Sequence, residues 1–160
     1  NTNKVVQTTA RALSQHGYIC YCPNLRGVGN SGGEHDYGHG EVDDAQAVVD
    51  YARAQHGDVP LVLAGFSFGS YVAAQLRQRI DARHLIMLGA AVSPKYAMPH
   101  VPADTIVIHG EHDEVISLAQ VLDWARPQSL PVVVFPGVGH FFHGKLVLLQ
   151  QYVQRLVPSL

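Results

Sequence analysis

The chain has 160 residues, 47% hydrophobic and 15% charged, with a formal net charge of -2. That length suits one domain, residues 1–160, and lets roughly 70% of the unfolded chain's surface be buried, so a core forms without staples. Without a basic or acidic block there is no reason to expect a nucleic acid or a membrane surface as partner. No stretch is apolar for long enough to span a bilayer, and no signal-peptide pattern is visible, so a cytoplasmic location is expected.

Val6, Thr9, Ala10 and Leu13 fall at i, i+3, i+4 and i+7, which predicts an amphipathic helix over about residues 3–15 with Gly17 as its C-cap. Tyr18–Cys22 is β-prone and apolar on both faces, as a buried parallel strand is, and Pro23 ends it. Cys20 and Cys22 lie two apart, so in a strand they face the same way and do not easily bridge. They read as two buried core thiols in a reducing compartment.

Residues 24–40 hold six glycines. Within them Gly27-Val28-Gly29-Asn30-Ser31-Gly32 spells G-x-G-x-x-G after a strand. A dinucleotide fingerprint must open a helix, so that the pyrophosphate sits on its N-terminus. Here Gly33, Gly38 and Gly40 follow, and no helical pattern begins before about residue 41. The stretch therefore reads as a loop near a cleft. Val42, Ala45, Val48, Val49 and Ala52 then make a helix, with Glu41, Asp43 and Asp44 at the positive end of its dipole.

A strand over 60–65 follows, then a helix over 70–80 marked by Val72, Leu76 and Ile80. His84–Ala91 reads as a strand and residues 93–102, with three prolines, as a loop. Thr105–His109 is the next strand. Ser117 opens a capping box with Gln120, Leu118, Val121, Leu122 and Ala125 continue that helix, and Pro127 stops it. Val132–Phe135 is the last strand, and Leu146, Leu149, Val153 and Leu156 make a closing helix. This alternation predicts an α/β fold, a mostly parallel sheet with helices on both faces. Sites in such sheets lie at the carboxyl ends of the strands. Ser67, Asp113 and His140 each follow a predicted strand, so they share one edge.

Gly65-Phe66-Ser67-Phe68-Gly69 is a G-x-S-x-G pattern between strand and helix, the context of a nucleophile elbow. Glycine is expected at both ends because a Cβ there collides with the neighbouring strand and helix. A serine hydroxyl is a weak nucleophile at neutral pH and needs a base, which in turn needs an orienting group. The order Ser67, Asp113, His140 supplies them. His140 would take the Ser67 proton and return it to the leaving group, and Asp113 would hold the imidazole tautomer. The Phe68 backbone N–H would supply one oxyanion donor. His143 competes with His140 as the base; His140 is preferred because it directly follows the strand-end turn. Glu111 and Glu114 compete with Asp113.

Three motifs carry a resemblance. Gly65-Phe66-Ser67-Phe68-Gly69, His109-Gly110-Glu111-His112-Asp113-Glu114-Val115 and Gly137-Val138-Gly139-His140-Phe141-Phe142 resemble the catalytic signatures of the α/β-hydrolase superfamily. Asn24-Leu25-Arg26-Gly27-Val28-Gly29-Asn30-Ser31 is similar to its D-x-R-G-x-G-x-S loop, with Asn24 in place of Asp and Arg26 tying the loop down. The resemblance covers essentially the whole chain, and its nearest branch is that of small, lidless bacterial serine hydrolases related to dienelactone-hydrolase-like enzymes. It implies that Asp113 is the acid and that His140 occupies the base position. It also implies an open cleft, since residues 93–102 are too short for a lid domain. Lys95, Tyr96, Met98, Phe66, Phe141 and Phe142 are expected around that cleft.

The family draws its second oxyanion donor from a loop after an early strand, which it places between the strands matching 18–22 and 60–65. This chain begins at the helix that follows that loop. The expectation is an α/β-hydrolase fold lacking its N-terminal strands, with an upstream segment or another chain filling the slot and supplying the donor.

The ten histidines include the groups His109/His112 with Asp113, His35/Asp36/His39 and His140/His143. None has a matching second cluster at a zinc spacing, so they read as surface or cleft histidines, and neither metal nor cofactor is expected. The functional reading is a serine hydrolase, a carboxylester hydrolase first of all, that cleaves an ester, thioester or amide of a small-molecule acyl substrate. A non-catalytic binding protein on the same fold and an acyltransferase with the same triad are the alternatives. Activity should fall at acid pH as His140 protonates. The oligomeric state is not legible.

Overall fold

The computed structural model describes residues 3–23 and 39–160. The Asn24–Ser31 loop, the G-x-G-x-x-G stretch, Arg26, His35 and Asp36 lie outside the described residues. The elements in order are α1 (Lys4–Gln15), α2 (His39–His56), β1 (Val62–Phe66), α3 (Phe68–Arg79), β2 (His84–Leu88), β3 (Ile106–Gly110), α4 (Leu118–Ala125), β4 (Val133–Phe135) and α5 (Leu146–Leu156).

Local chemistry sets the helix starts. Asn3 caps α1, its side-chain oxygen accepting from the Val5 and Val6 amides at 2.9 and 3.1 Å. Ser117 and Gln120 form the expected capping box at α4. α3 starts two residues earlier than its apolar spacing suggests, because the elbow turns the chain within the single residue Ser67.

The four strands are parallel and lie side by side in chain order, β1-β2-β3-β4. Their side chains alternate between two cores. Leu63, Leu85, Met87 and Val107 pack with Val42, Val49, Val72, Leu76 and Val121 from α2, α3 and α4. Ile86, Leu88, Ile108 and Phe135 pack with Val5, Leu13, Leu149 and Val153 from α1 and α5. Helices thus cover both faces, as the alternation requires. Because all strands run the same way, the chain leaves β1, β3 and β4 at one edge, and the three site residues follow those ends.

Two strand expectations change. β2 stops at Leu88 instead of Ala91 because Gly89 takes φ 55° and turns the chain. The Ala91 amide then donates to the Ser70 hydroxyl at 2.9 Å, not to a strand. Tyr18–Cys22 is not a strand. Among the described residues β1 pairs only with β2, so no ladder partner stands beside residues 18–22. An apolar run becomes a strand only where its amides and carbonyls find partners. Tyr18 reaches the core, but Ile19 and Tyr21 are 67% and 40% exposed, and Cys20 and Cys22 are exposed free thiols, not core thiols. Partial desolvation, with Cys22 beside it, pushes the Cys20 thiol above its ordinary value. A thiol so shifted is a poor nucleophile at neutral pH. No helix among the described residues is long and apolar enough to cross a membrane.

Candidate active site

The elbow is built around one strained residue. Ser67 has φ 56° and ψ −124°, a conformation L-residues seldom adopt and one that costs about 1–3 kcal/mol unless its surroundings enforce it. They do so here. The Ser67 N–H donates to the Leu88 carbonyl at 2.9 Å. The Ser67 carbonyl accepts from the Ser70 amide at 2.9 Å and from the Ser70 hydroxyl at 2.6 Å. Ser70 is fully buried and also accepts from Ala91, so it ties the elbow to the end of β2.

The two elbow glycines differ. A Cβ on Gly65 would lie 2.1 Å from the Gly69 carbonyl oxygen, so only glycine fits. A Cβ on Gly69 would meet nothing within 4 Å. The expectation of a collision at both ends therefore holds at Gly65 alone: β1 passes so close to the first turn of α3 that the space is needed on the strand side. Gly65→Ala should lower stability by about 3 kcal/mol, as overpacking against rigid backbone does. Gly69→Ala, within a helix, should be neutral or stabilising by up to about 1 kcal/mol. Urea unfolding of the two variants beside the parent checks the contrast, and equal losses would refute it.

From Ser67 a hydrogen-bond path runs into the protein. His140 Nε2 is 3.0 Å from Ser67 Oγ, and His140 Nδ1 is 2.6 Å from Asp113 Oδ2. A carboxylate only accepts, so Nδ1 carries the proton and Nε2 is left to accept from the serine. The other carboxylate oxygen, Oδ1, accepts from the Val115 and Ile116 amides at 2.9 and 2.8 Å. The Asp113 side chain is entirely buried and the imidazole nearly so. Each buried polar atom of this pair thus has a partner, which fixes the ring plane.

The rival residues have other work. Glu111 accepts from the Gly137 amide at 2.8 Å and Glu114 from the His140 amide at 3.3 Å. Both carboxylates hold the backbone of the histidine loop, while Asp113 holds the ring itself. His143 is exposed, and the hydrogen bonds of this path run through His140 instead. Gly89 was not singled out from the sequence, yet a Cβ there would lie 3.0 Å from His140 Cε1 and 3.2 Å from Nδ1. Its place just past an apolar strand is the only signal that could have marked it.

Aromatic rings surround the serine and imidazole. Phe66 lies tilted at 4.8 Å from the His140 ring and Phe141 meets it edge-on at 5.0 Å, and Phe141 is 52% exposed. Phe68 lies 5.3 Å from Tyr96, which in turn lies 5.0 Å from Tyr71 and beneath Lys95 Nζ at 5.6 Å. Met98 instead packs on the core shared by α2, α3 and α4. Phe142, expected at the cleft, is fully buried against Phe135, because φ 55° turns it inward. Phe68 opens α3, which puts its N–H at the positive end of the helix dipole. Among the described residues no group of histidine, cysteine or carboxylate side chains could hold a metal ion. His109, read as a surface or cleft histidine, is fully buried in β3. His112 is the exposed one of that pair.

Comparison with known proteins follows the same lines. Residues 2–104 match the family model described as serine aminopeptidase, S33. An uncharacterized protein of Rickettsia prowazekii is 31% identical over 157 residues, an alignment covering 89% of this chain and 66% of that protein. This chain thus spans somewhat less than two thirds of that relative. A Xanthomonas campestris crystal structure, described as an α/β serine hydrolase without lid, superposes with a TM-score of 0.91 at 38% identity, covering 98% of this chain and 73% of that one. An α/β serine hydrolase homologue from Coxiella burnetii superposes with a TM-score of 0.90 at 35% identity, covering 98% and 77%.

Proposed function

The chain belongs to the family described as serine aminopeptidase, S33, within the α/β-hydrolase superfamily, and from that premise we propose that it cleaves an ester, thioester or amide through an acyl-Ser67 intermediate. The observation that carries this reading is the unbroken path Ser67 Oγ, His140 Nε2, His140 Nδ1, Asp113 Oδ2, at 3.0 and 2.6 Å. It has the geometry that nucleophilic catalysis needs: a base within reach of the hydroxyl, and an acid orienting the base.

The chemistry proceeds in two halves. Ser67 Oγ attacks the substrate carbonyl as its proton passes to His140 Nε2. The imidazolium so formed is stabilised by the buried Asp113 carboxylate. Negative charge on the carbonyl oxygen is met by the Phe68 N–H at the start of α3, where the helix dipole also favours it. His140 then protonates the leaving alcohol, thiol or amine, and the acyl group stays on Ser67. A water molecule gives its proton to His140 and attacks the acyl carbon; His140 then passes that proton to Ser67 Oγ as the acid leaves, restoring the hydroxyl. No step requires a metal or cofactor. Phe66 and Phe141 beside the imidazole, and Tyr96 beside Phe68, give the substrate apolar surfaces to lie on. That favours a small-molecule carboxylester with an apolar group over a charged one.

A p-nitrophenyl ester tests this reading. We expect a burst of p-nitrophenol equal to the protein concentration, followed by slower turnover, the mark of an acyl-enzyme. A parallel thioester and an amino-acid p-nitroanilide rank the three bond types. An added alcohol that diverts the acyl group into a new ester would reveal an acyltransferase. Binding of these compounds without any p-nitrophenol release would defeat the hydrolase reading.

A further inference from the structure

β3 carries a second imidazole that the steps above do not use. Along this strand Ile106 and Ile108 face the α1/α5 core, and Val107 faces the other side. Alternation places His109 with Val107, and it is fully buried there. Its Nε2 lies 2.7 Å from the Ile116 carbonyl oxygen. A carbonyl only accepts, so the proton is on Nε2. Its Nδ1 is buried without a hydrogen-bond partner among the described residues. A buried polar atom left unpaired is costly, and an apolar side chain at 109 would avoid that cost. The Nε2–H must therefore supply something that an apolar side chain cannot.

Its surroundings show what that is. The same Nε2 is 3.4 Å from Asp113 Oδ2, the oxygen that holds His140 Nδ1 at 2.6 Å. The residue it grips, Ile116, also donates its own amide to Asp113 Oδ1 at 2.8 Å. His109 thus reaches the carboxylate by two routes. It secures the loop whose amides hold Oδ1, and it presents a polar N–H edge to Oδ2.

We propose that His109 is a positioning residue, which holds the Asp113 carboxylate in the orientation that aligns His140 with Ser67. This inference rests on the serine hydrolase reading for its catalytic consequence, but not for its structural one. In a medium of low dielectric a donor placed against a carboxylate acts more strongly than in water, so its loss should be felt at the base.

The test compares His109→Phe, which keeps a ring but removes the donor, with His109→Leu, a smaller donor-less variant, and His109→Gln, whose side-chain amide can donate from the Nε2 position. On a p-nitrophenyl ester we expect kcat for the Phe and Leu variants to fall on the order of tenfold to a hundredfold, the scale of leaving a buried group without its hydrogen-bond partner, with KM little changed. Gln should recover most of the loss. In an Asp113→Asn background His109→Phe should cost less than about twofold, because the two changes act through one group. The far-downfield proton NMR signal of His140 Nδ1–H should persist in the parent and the Gln variant, and should move upfield or vanish in the Phe and Leu variants. Equal losses in all three variants, an undiminished cost in the Asp113→Asn background, or a proton signal indifferent to the Phe and Leu changes would overturn the proposal. The signal reads Asp113–His140 geometry whether or not the protein turns over ester. A sensitive signal without turnover would sink the hydrolase reading and keep the positioning role. Turnover with an insensitive signal would do the reverse.

Discussion

Ser67→Ala should lower kcat for ester hydrolysis by about 10⁶-fold, the scale seen when a triad nucleophile is removed, with folding unimpaired. The reason lies in what Oγ touches. Its hydrogen bond is to His140 Nε2, whereas the strained elbow is held through backbone groups of Ser67 and the side chain of Ser70. Removing Oγ takes away the nucleophile and leaves those contacts in place. His140→Ala should cost about as much, and the double variant little more, since serine and base act as one unit. Steady-state kinetics on a p-nitrophenyl ester, with unfolding curves for each variant, check this. A loss of only tenfold in Ser67→Ala would mean that another group is the nucleophile.

Asp113→Asn should reduce kcat by about 10⁴-fold while the fold persists, for a reason that can be followed atom by atom. Oδ1 accepts from two amides, Val115 and Ile116, so the oxygen of an asparagine stays at that position. Its NH₂ group then faces His140 Nδ1. Two donors cannot share one hydrogen bond, so the imidazole must shift its proton to Nε2. In that tautomer it has no lone pair for the serine proton. Glu111→Gln and Glu114→Gln keep an acceptor for the amides of Gly137 and His140, and should cost less than about tenfold. A ranking in which either glutamate change exceeds Asp113→Asn would reassign the acid.

Much of this site is legible along the chain because its parts are short and local. Ser67, Asp113 and His140 each follow a strand, and parallel strands must deliver their carboxyl ends to one edge. The capping box at Ser117 is likewise a four-residue matter. What periodicity does not carry is the direction of a turn or the presence of a partner. Phe141 and Phe142 are chemically the same, and only the positive φ of Phe142 sends one ring into the core and leaves the other beside His140. Tyr18–Cys22 has a strand's composition but no neighbour to pair with among the described residues. His109 was masked by its own chemistry, since histidine suggests a surface or a cleft. The period of two along Ile106–Gly110 was the available signal, because it places residue 109 on the face of buried Val107.

The claim at the centre of this account is that Ser67 is an activated nucleophile. A fluorophosphonate probe tests it most directly, because it reacts with a serine only where a base draws off the proton. Mass spectrometry of the labelled, digested protein should place one phosphonate on Ser67 and none on the Ser67→Ala or His140→Ala variants. An unlabelled folded protein, or a label carried by another residue, would contradict it.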